Sequence, residues 1–322
     1  MKSPFISLVV VNYNGEDIIK KCLDSLLKVN YPKNKYEIIV VDNASVDKST
    51  SIIKSFKNIK LIKNSHNEGY VGVNSCLNRV KGKHIFVLNN DIEIEKNCVK
   101  NLVEIIEKDN SIGIVAPKFI NYFNRKIESS GTWVSRSFYT GHYADKTETQ
   151  KVKDIPYLGI EMVRTDLVKK FGYIYDPDYF IYAEDLDLSL RFRLIGKKTV
   201  FVSDAILYHM HAITTKKSTR SFTTFLMERN LLVTFFKIFS FKNILLMLPY
   251  IIGMRILAMV KDLVTLNPGN FFARLKAFLW IVFNFYAVYK KRKKTQKLRK
   301  VNDKFILKVF SEKYLFKKKI LI

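Results

Sequence analysis

Cysteine is scarce in this chain: Cys22, Cys76 and Cys98 are the only three in 322 residues. Their number is odd, no two stand in a C-x-x-C spacing, and each sits among periodic apolar residues. A disulfide framework and a cysteine zinc centre are therefore not expected, and a reducing compartment fits best. Neither G-x-G-x-x-G nor G-x-x-x-x-G-K-[ST] occurs, which argues against a dinucleotide fingerprint or a P-loop. The apolar stretch Phe5–Val11 lasts seven residues before Asn12 and Tyr13 interrupt it. It is too short for the core of a secretory leader and reads as a buried strand. Acidic residues are few as well, 29 against 55 Lys and Arg, for a net charge of +26. No helix-turn-helix, zinc or RNP motif accompanies that excess, so nucleic acid is not the expected partner.

What is present describes a folded protein. Apolar residues make up 48% of the chain and aromatics 13%, enough for a core, while 26% charged residues is ordinary. The length exceeds one typical domain of about 100–200 residues, so a catalytic-sized unit over residues 1–240 with an appendage over 241–322 is expected. The charge is unevenly spread. Residues 241–322 carry 19 Lys and Arg against Asp262, Asp303 and Glu312, a net of +16. A positive field of this kind attracts any polyanion, so context must choose the partner.

Short β-branched runs alternate with segments of helical period. Strands are expected at Ile6–Val11, Tyr36–Val41, Ile59–Ile62 and His84–Leu88. Helices are expected from Ile18 to Leu27, Ser49–Phe56, Val71–Val80 and Lys96–Glu107. Strand, helix, strand in repetition means parallel βαβ units, whose ligands bind beyond the carboxyl ends of the strands. There the chain reads NYNG (Asn12–Gly15), DNAS (Asp42–Ser45), NSHNEG (Asn64–Gly69) and NNDIE (Asn89–Glu93). Any one of these is ordinary turn chemistry. Four on one sheet edge suit a nucleotide, because Asp can accept from a base or ribose and Gly lets backbone approach a diphosphate.

These four segments in this order resemble the amino-terminal part of family 2 glycosyltransferases with the GT-A fold, the group that includes rhamnosyltransferase-like enzymes of surface polysaccharide assembly. The likeness continues through Gly159-Ile160-Glu161-Met162-Val163-Arg164, similar to that family's acceptor-side Gly segment. It extends to Tyr182-Ala183-Glu184-Asp185-Leu186-Asp187, similar to its ED-containing helix start, and to His209 and Arg229-Asn230. It covers roughly residues 5–235. The fold implied is α/β: a Rossmann-like, mostly parallel sheet with flanking helices, followed by a C-terminal helical, membrane-associated region.

The resemblance also implies roles. Asp42 would hold the nucleobase or ribose, with Tyr13, Asn14 and Asn67 lining that pocket and Gly69 and Asn90 completing the donor site. Asp91 stands where the family's DxD carboxylate binds Mg²⁺ or Mn²⁺ against the donor diphosphate. Here the position two before it is Asn89, so the motif keeps one carboxylate, which suffices when phosphates supply the other oxygens. His209 is the second expected metal ligand, and Glu93 an auxiliary one; His211, two residues on, would face the opposite side if the segment is extended. Asp185 is the expected general base, with Glu184 and Asp187 as competitors; the bland role for all three is to complement a helix N-terminus. Arg191 and Arg193 suit the diphosphate, and Arg191 equally suits a surface i,i+4 pair with Asp187. The irregular stretch Asn121–Lys153 reads as a functional loop, whose Trp133, Tyr139, His142 and Tyr143 suit either sugar stacking or plain packing.

In the tail, Asn243–Met254 is uncharged for twelve residues before Arg255, and Ala277–Tyr289 for thirteen. Neither reaches the roughly 20 residues of a clean span, so interfacial, re-entrant or buried helices are expected. The second run ends in Lys290–Lys300, eight of whose eleven residues are basic. A basic cluster beside an aromatic-ended apolar helix suits an anionic cytoplasmic leaflet. The expectation is an inverting enzyme at the cytoplasmic side of the cell membrane. It would move a sugar from a nucleotide-diphosphate donor to a lipid-linked or polymeric glycan. A sugar-nucleotide nucleotidyltransferase and a non-catalytic glycan- or nucleotide-binding relative are the alternatives. Donor sugar, acceptor and oligomeric state are not legible.

Overall fold

The computed structural model describes residues 3–143, 151–210 and 219–311; His211 and Glu312 lie outside them. Four parallel strands, β1 (Ile6–Asn12), β2 (Tyr36–Asp42), β3 (Ile59–Lys63) and β4 (His84–Asn89), stand in the order β4-β1-β2-β3. Their residues feed two cores by alternation. Leu8, Val10, Ile38 and Val40 face α1 (Ile19–Leu27), α2 (Ser49–Lys54) and α3 (Cys98–Lys108), whereas Val9, Val11, Ile39 and Val41 face the opposite layer. With both faces covered, a strand reads as a continuous apolar run, which is how these segments appear in the sequence.

The segment expected as a helix over Val71–Val80 forms instead a 3₁₀ run, Gly69–Cys76. Side-chain amides take its carbonyls: Asn43 Nδ2 donates to Gly69 O at 2.6 Å and Asn64 Nδ2 to Gly72 O at 3.1 Å. Carbonyls engaged from the side favour the tighter turn over an α-helical ladder.

Beyond β4 the sheet becomes mixed. β5 (Ile92–Ile94), β6 (Ile112–Asn121), β7 (Ile127–Ser129), β10 (Val152–Asp154), β11 (Met162–Arg164) and β12 (Lys198–His209) extend it to ten strands, in the path β10-β12-β6-β11-β4-β1-β2-β3. β5 joins on β12 and β7 on β6. β11 is antiparallel to both neighbours, β4 and β6. Part of the stretch expected to be irregular forms a separate hairpin, β8 (Thr132–Val134) with β9 (Thr140–His142). α4 (Thr165–Phe171) and α5 (Glu184–Leu194) pack on the face that also holds Val9 and Val11.

The C-terminal part is helical: α6 (Arg220–Ile238), α7 (Phe241–Val264), α8 (Pro268–Phe283), α9 (Phe285–Gln296) and α10 (Asp303–Leu307). Ser240 caps α7 by accepting from Asn243 N, and Pro268 starts α8 where its missing N–H costs nothing. Arg255 does not end the apolar helix, as its position in the sequence suggested. It is 1% exposed, with Nε 2.9 Å from Glu228 Oε2 and one guanidinium nitrogen donating to Ser137 O at 2.9 Å. Neutralised on the inner side, it lets α7 run for 24 residues. α7 is the one described helix long and apolar enough to cross a membrane by length and composition; α8 and α9, bent by 71°, pass only as a pair. Ile244 and Ile251 of α7 join the same core as Leu188 and Phe235.

Candidate active site

The carboxyl ends of β1 and β2 converge because Asn12 and Asp42 are register partners. Asp42, 1% exposed, accepts through Oδ1 from Asn12 Nδ2 at 2.8 Å and Ser45 Oγ at 2.6 Å, and through Oδ2 from Ser45 N at 3.0 Å. Asn90 Nδ2 donates to Asn12 Oδ1 at 2.9 Å. Asn14, at φ 47°, donates its N–H to Ser45 Oγ and accepts from Val46 N. One polar network thus joins Asp42, Asn14 and Asn90 across three strand ends, with half-buried Tyr13 between Asn12 and Asn14. Asn67 turns back on its own loop, accepting from Gly69 N at 2.9 Å. Asn12 and Ser45, which knit this rim, lie inside segments the sequence marked but were not singled out there.

Asp91 lies just beyond β4, with Oδ2 3.3 Å from His209 Nε2; Glu128 Oε2 stands 3.3 Å from the other ring nitrogen. Burial works against a charged His209, yet Asp91 and Glu128 outweigh it and hold the ring above the usual imidazole value. Glu93 is not the auxiliary ligand expected. It pairs opposite Tyr208 while His209 pairs opposite Ile92, and adjacent strand positions point to opposite faces. Glu128, far away in sequence, takes the neighbouring place. No group of three or more His, Cys, Asp or Glu suited to a metal ion occurs among the described residues. One carboxylate and one imidazole do suit a divalent cation that completes its shell with phosphate oxygens.

The helix expected to begin at the ED pair does begin there, at Glu184. The turn before it is unusual, for Phe180, Tyr182 and Ala183 all have left-handed φ, between 59° and 73°. Such a conformation costs about 1–3 kcal/mol per residue and persists only where neighbours enforce it. Asn230 of α6, fully buried, does so by donating to the carbonyls of Tyr179, Ile181 and Tyr182 at 2.8–3.1 Å. On the other flank Tyr70 N donates to Phe180 O at 2.7 Å. This close approach needs the glycine at 69, whose φ is +67° and whose added Cβ would lie 2.3 Å from that carbonyl oxygen. Gly69→Ala is therefore expected to push the 180–185 turn out of place and cost about 1–3 kcal/mol or more, read as a lowered Tm. An unchanged Tm would show the contact to be dispensable.

Three acids of the α5 start have different environments. Asp187 is fully buried, with Lys237 Nζ 2.6 Å from Oδ1 and Arg191 Nε 2.8 Å from Oδ2. It holds α5 to α6 and faces no open space. Glu184 is buried, its Oε2 has no hydrogen-bond partner, and burial, then the charge of Asp185, pushes its carboxyl well above the ordinary range. Asp185 alone of the three is half-buried; it and Glu184 both line a pocket of about 140 Å³, together with His142, Tyr157, Tyr182 and Met227. Asp185 Oδ1 accepts from Leu186 N at 2.7 Å, and burial raises its pKa to about 6 despite that bond.

Glu161 completes this acidic group. It is 1% exposed, accepts from Tyr175 OH at 3.0 Å, and is pushed well above the usual carboxyl value by burial and then by Asp185. Its backbone carbonyl accepts from Val87 N beside the end of β4, so it stands between the strand-end rim and the pocket. Gly159 packs against Asp185, a Cβ there meeting Oδ2 at 3.4 Å. The sequence marked the Gly159–Arg164 segment without singling out Glu161.

Arg191 is not a surface ion-pair partner: both it and Asp187 are fully buried. Arg193 reaches Asp154 on β10 and Ile155 O, so both guanidinium groups serve packing. Of the four aromatics noted in the 121–153 stretch, His142 lines the pocket, and Tyr139 lies under the Arg255 guanidinium, 5.0 Å from it.

The family model described as Glycosyl transferase family 2 matches residues 7–170. The poly(ribitol-phosphate) beta-glucosyltransferase of Bacillus spizizenii is 39% identical over 211 residues, 64% of this chain and 32% of that protein. The chain thus matches about a third of that relative's length. Among solved structures, Staphylococcus aureus TarS 1-349 in complex with UDP-GlcNAc superposes with a TM-score of 0.60 at 16% identity, covering 91% of this chain and 89% of that one. The mannosyltransferase PcManGT from Pyrobaculum calidifontis, in complex with GDP-Man and Mn²⁺, gives 0.55 at 15% identity, covering 95% and 86%. At these identities the likeness is one of fold, a sheet curled as in GT-A structures.

Proposed function

The chain belongs to glycosyl transferase family 2, and on that premise we propose that it is an inverting enzyme transferring a sugar from a nucleotide-diphosphate donor to a lipid-linked or polymeric glycan at the cytoplasmic face of the membrane. In this reading residues 1–240 form the catalytic unit and 241–322 the membrane-associated region. The observation that carries it is the sorting of the acids at the start of α5. Asp187 is locked in ion pairs, Glu184 and Glu161 are held towards the neutral form, and Asp185, which shares the pocket with Glu184, is the half-buried one, with a pKa near 6.

In the reaction the acceptor hydroxyl oxygen forms the new bond to the anomeric carbon. The bond from that carbon to the diphosphate oxygen breaks with its electron pair, and the hydroxyl proton passes to the Asp185 carboxylate. A base with a pKa near the working pH suits that transfer. With Glu184 and Glu161 held towards the neutral form, like-charge repulsion does not push the Asp185 pKa higher still. Asp42, Asn12, Asn14 and Asn90 would hold the nucleoside end at the strand-end rim, with Tyr13, Asn67 and Gly69 beside them. Asp91 and His209 would hold Mg²⁺ or Mn²⁺, which supplies positive charge to the leaving diphosphate. Relatives named for poly(ribitol-phosphate) support a polymeric acceptor, and the TarS complex with UDP-GlcNAc supports a UDP-sugar as the first donor to try.

Thermal shift tests the donor. UDP-GlcNAc or another nucleotide-diphosphate sugar with Mn²⁺ is expected to raise Tm, since about a hundredfold excess over Kd adds about 2.7 kcal/mol to the folded state. Asp91→Asn should remove the Mn²⁺ dependence. Absence of any shift across UDP- and GDP-sugars, with and without the metal, sinks the reading.

A further inference from the structure

The outer surface of the C-terminal helices is apolar and unpartnered. Leu246, Leu257 and Val264 on α7 are 61–77% exposed, and Phe272, Val282 and Phe283 on α8 are 63–81% exposed. An apolar patch on this scale marks a contact surface. We propose that it seats in the headgroup and upper acyl layer of an anionic bilayer, with α7 lying in the membrane plane and not crossing it. This rests on the membrane location proposed above and narrows it to a face, an orientation and a lipid class.

Orientation follows from the other flank of α7. Its buried stripe, Ile244, Ile251, Arg255 and Asp262, extends over about 27 Å of helix axis at 1.5 Å per residue. Polar groups of the folded protein meet it along that whole length. Asn243 donates to Asp303 at 2.6 Å, Arg255 pairs with Glu228 at 2.9 Å, and Asp262 accepts from Arg274 at 2.8 Å. For α7 to thread the hydrocarbon, Glu228, Asp262 and Arg274 with their packed surroundings would have to enter it too, which hydrocarbon opposes strongly. A helix held on one flank and apolar on the other lies along an interface.

Charge selects the lipid. In the described residues from 241 onward the acids are Asp262 and Asp303, both buried and paired with Arg274 and Arg299. The charges left at the surface are positive, among them exposed Lys242, Lys261, Lys276, Lys290, Lys293 and Lys294. Two copies of this face would set like charges against each other, which disfavours a dimer; an anionic leaflet complements them. Docking there also serves the site. α8 clads α6 through Arg274–Glu228 and Thr224–Asn270, and Met227 of α6 lines the Asp185 pocket. A lipid-linked acceptor would therefore present its sugar one helix layer from its anchor.

The test uses the full chain with vesicles of phosphatidylcholine containing phosphatidylglycerol, and with phosphatidylcholine alone. Co-flotation is expected with the anionic vesicles only, weakened about fivefold for each of Lys261→Gln and Lys276→Gln and abolished by Leu257→Glu with Phe283→Glu. Single cysteines placed by Lys242→Cys and Lys261→Cys, at the two ends of α7, should both react with an impermeant maleimide added outside, because the native cysteines are buried. Equal binding to neutral vesicles, indifference to Leu257→Glu with Phe283→Glu, or shielding of one α7 end overturns the proposal. So does a dimer in solution that those substitutions disperse while no vesicle binds. Donor hydrolysis without vesicles is measured in parallel: lost flotation with intact turnover sinks the docking alone, and absent turnover in a chain that floats sinks the enzymatic reading alone.

Discussion

Asp185→Asn is expected to lower sugar transfer by about 10²–10⁴-fold, the usual contribution of a positioned general base, while leaving the donor-induced thermal shift intact. Asn keeps the shape and can still accept from Leu186 N through its oxygen, so the α5 start should survive. What disappears is the group able to take the acceptor proton. In the unsubstituted enzyme transfer should rise with pH through about 6, because burial raises Asp185 to that value and only its ionised form accepts. The sign for stability is opposite. A carboxyl whose folded pKa lies above its unfolded one contributes stability below the ordinary carboxyl range, and that contribution is lost as pH rises through the folded value. Glu184 and Glu161 are raised in the same direction, by burial first and the Asp185 charge next. Asp185→Asn should therefore have a higher Tm than the unsubstituted chain at pH 8, with the gap closing as pH falls through 6. Transfer that persists within threefold, or a gap of the opposite sign, removes Asp185 from the role.

Lys237→Met is expected to cost about 3–5 kcal/mol, the penalty for stripping one partner from a buried ion pair. Lys237 is fully buried, with Nζ 2.6 Å from Asp176 Oδ2 and 2.6 Å from Asp187 Oδ1. Burial alone would drive its proton off, but Asp176 and Asp187 hold it well above the usual amine value. With the ammonium gone, Asp187 retains Arg191 and Asp176 retains Lys291, yet the two carboxylates lose the charge between them. A drop of about 2–4 °C in Tm per kcal/mol should be seen by thermal melt. Lys20→Met is the control, because its i,i+4 pair with Asp24 is exposed and such pairs contribute about 0.3–0.5 kcal/mol. A loss below about 1 kcal/mol for Lys237→Met would mean the network relaxes or hydrates, contrary to its burial.

Two of these residues show how legibility in the sequence divides. Asp185 was readable because it follows a recognisable pair at a helix start, a local feature. Lys237 was not: its partners lie 61 and 50 positions away, and nothing in the text of α6 distinguishes it from a solvated lysine. Asp187 was legible as an acid near a helix N-terminus, but its removal from the pocket depends on which way α5 is turned against α6. Glu128 and Glu161 escaped notice for the same reason, since each reaches its functional neighbour only through strand pairing. Glu93 attracted notice by proximity in sequence and then proved to sit on the wrong face. In the sequence the apolar run Asn243–Met254 stops at Arg255; the structure carries the helix on to Val264 because a carboxylate from α6 meets that guanidinium.

The sequence by itself determined the local vocabulary: continuous apolar runs for strands covered on both faces, amide-rich turns at their carboxyl ends, an acidic helix start, and a tail both apolar and basic. These are properties of a few adjacent residues, and period and charge express them directly. Only the tertiary structure decided which acid faces open space, which are neutralised or held neutral, which residues neighbour His209, and which flank of α7 is left bare. Those outcomes depend on distances between residues far apart in the chain, and burial and Coulomb interaction act across those distances and not along the sequence.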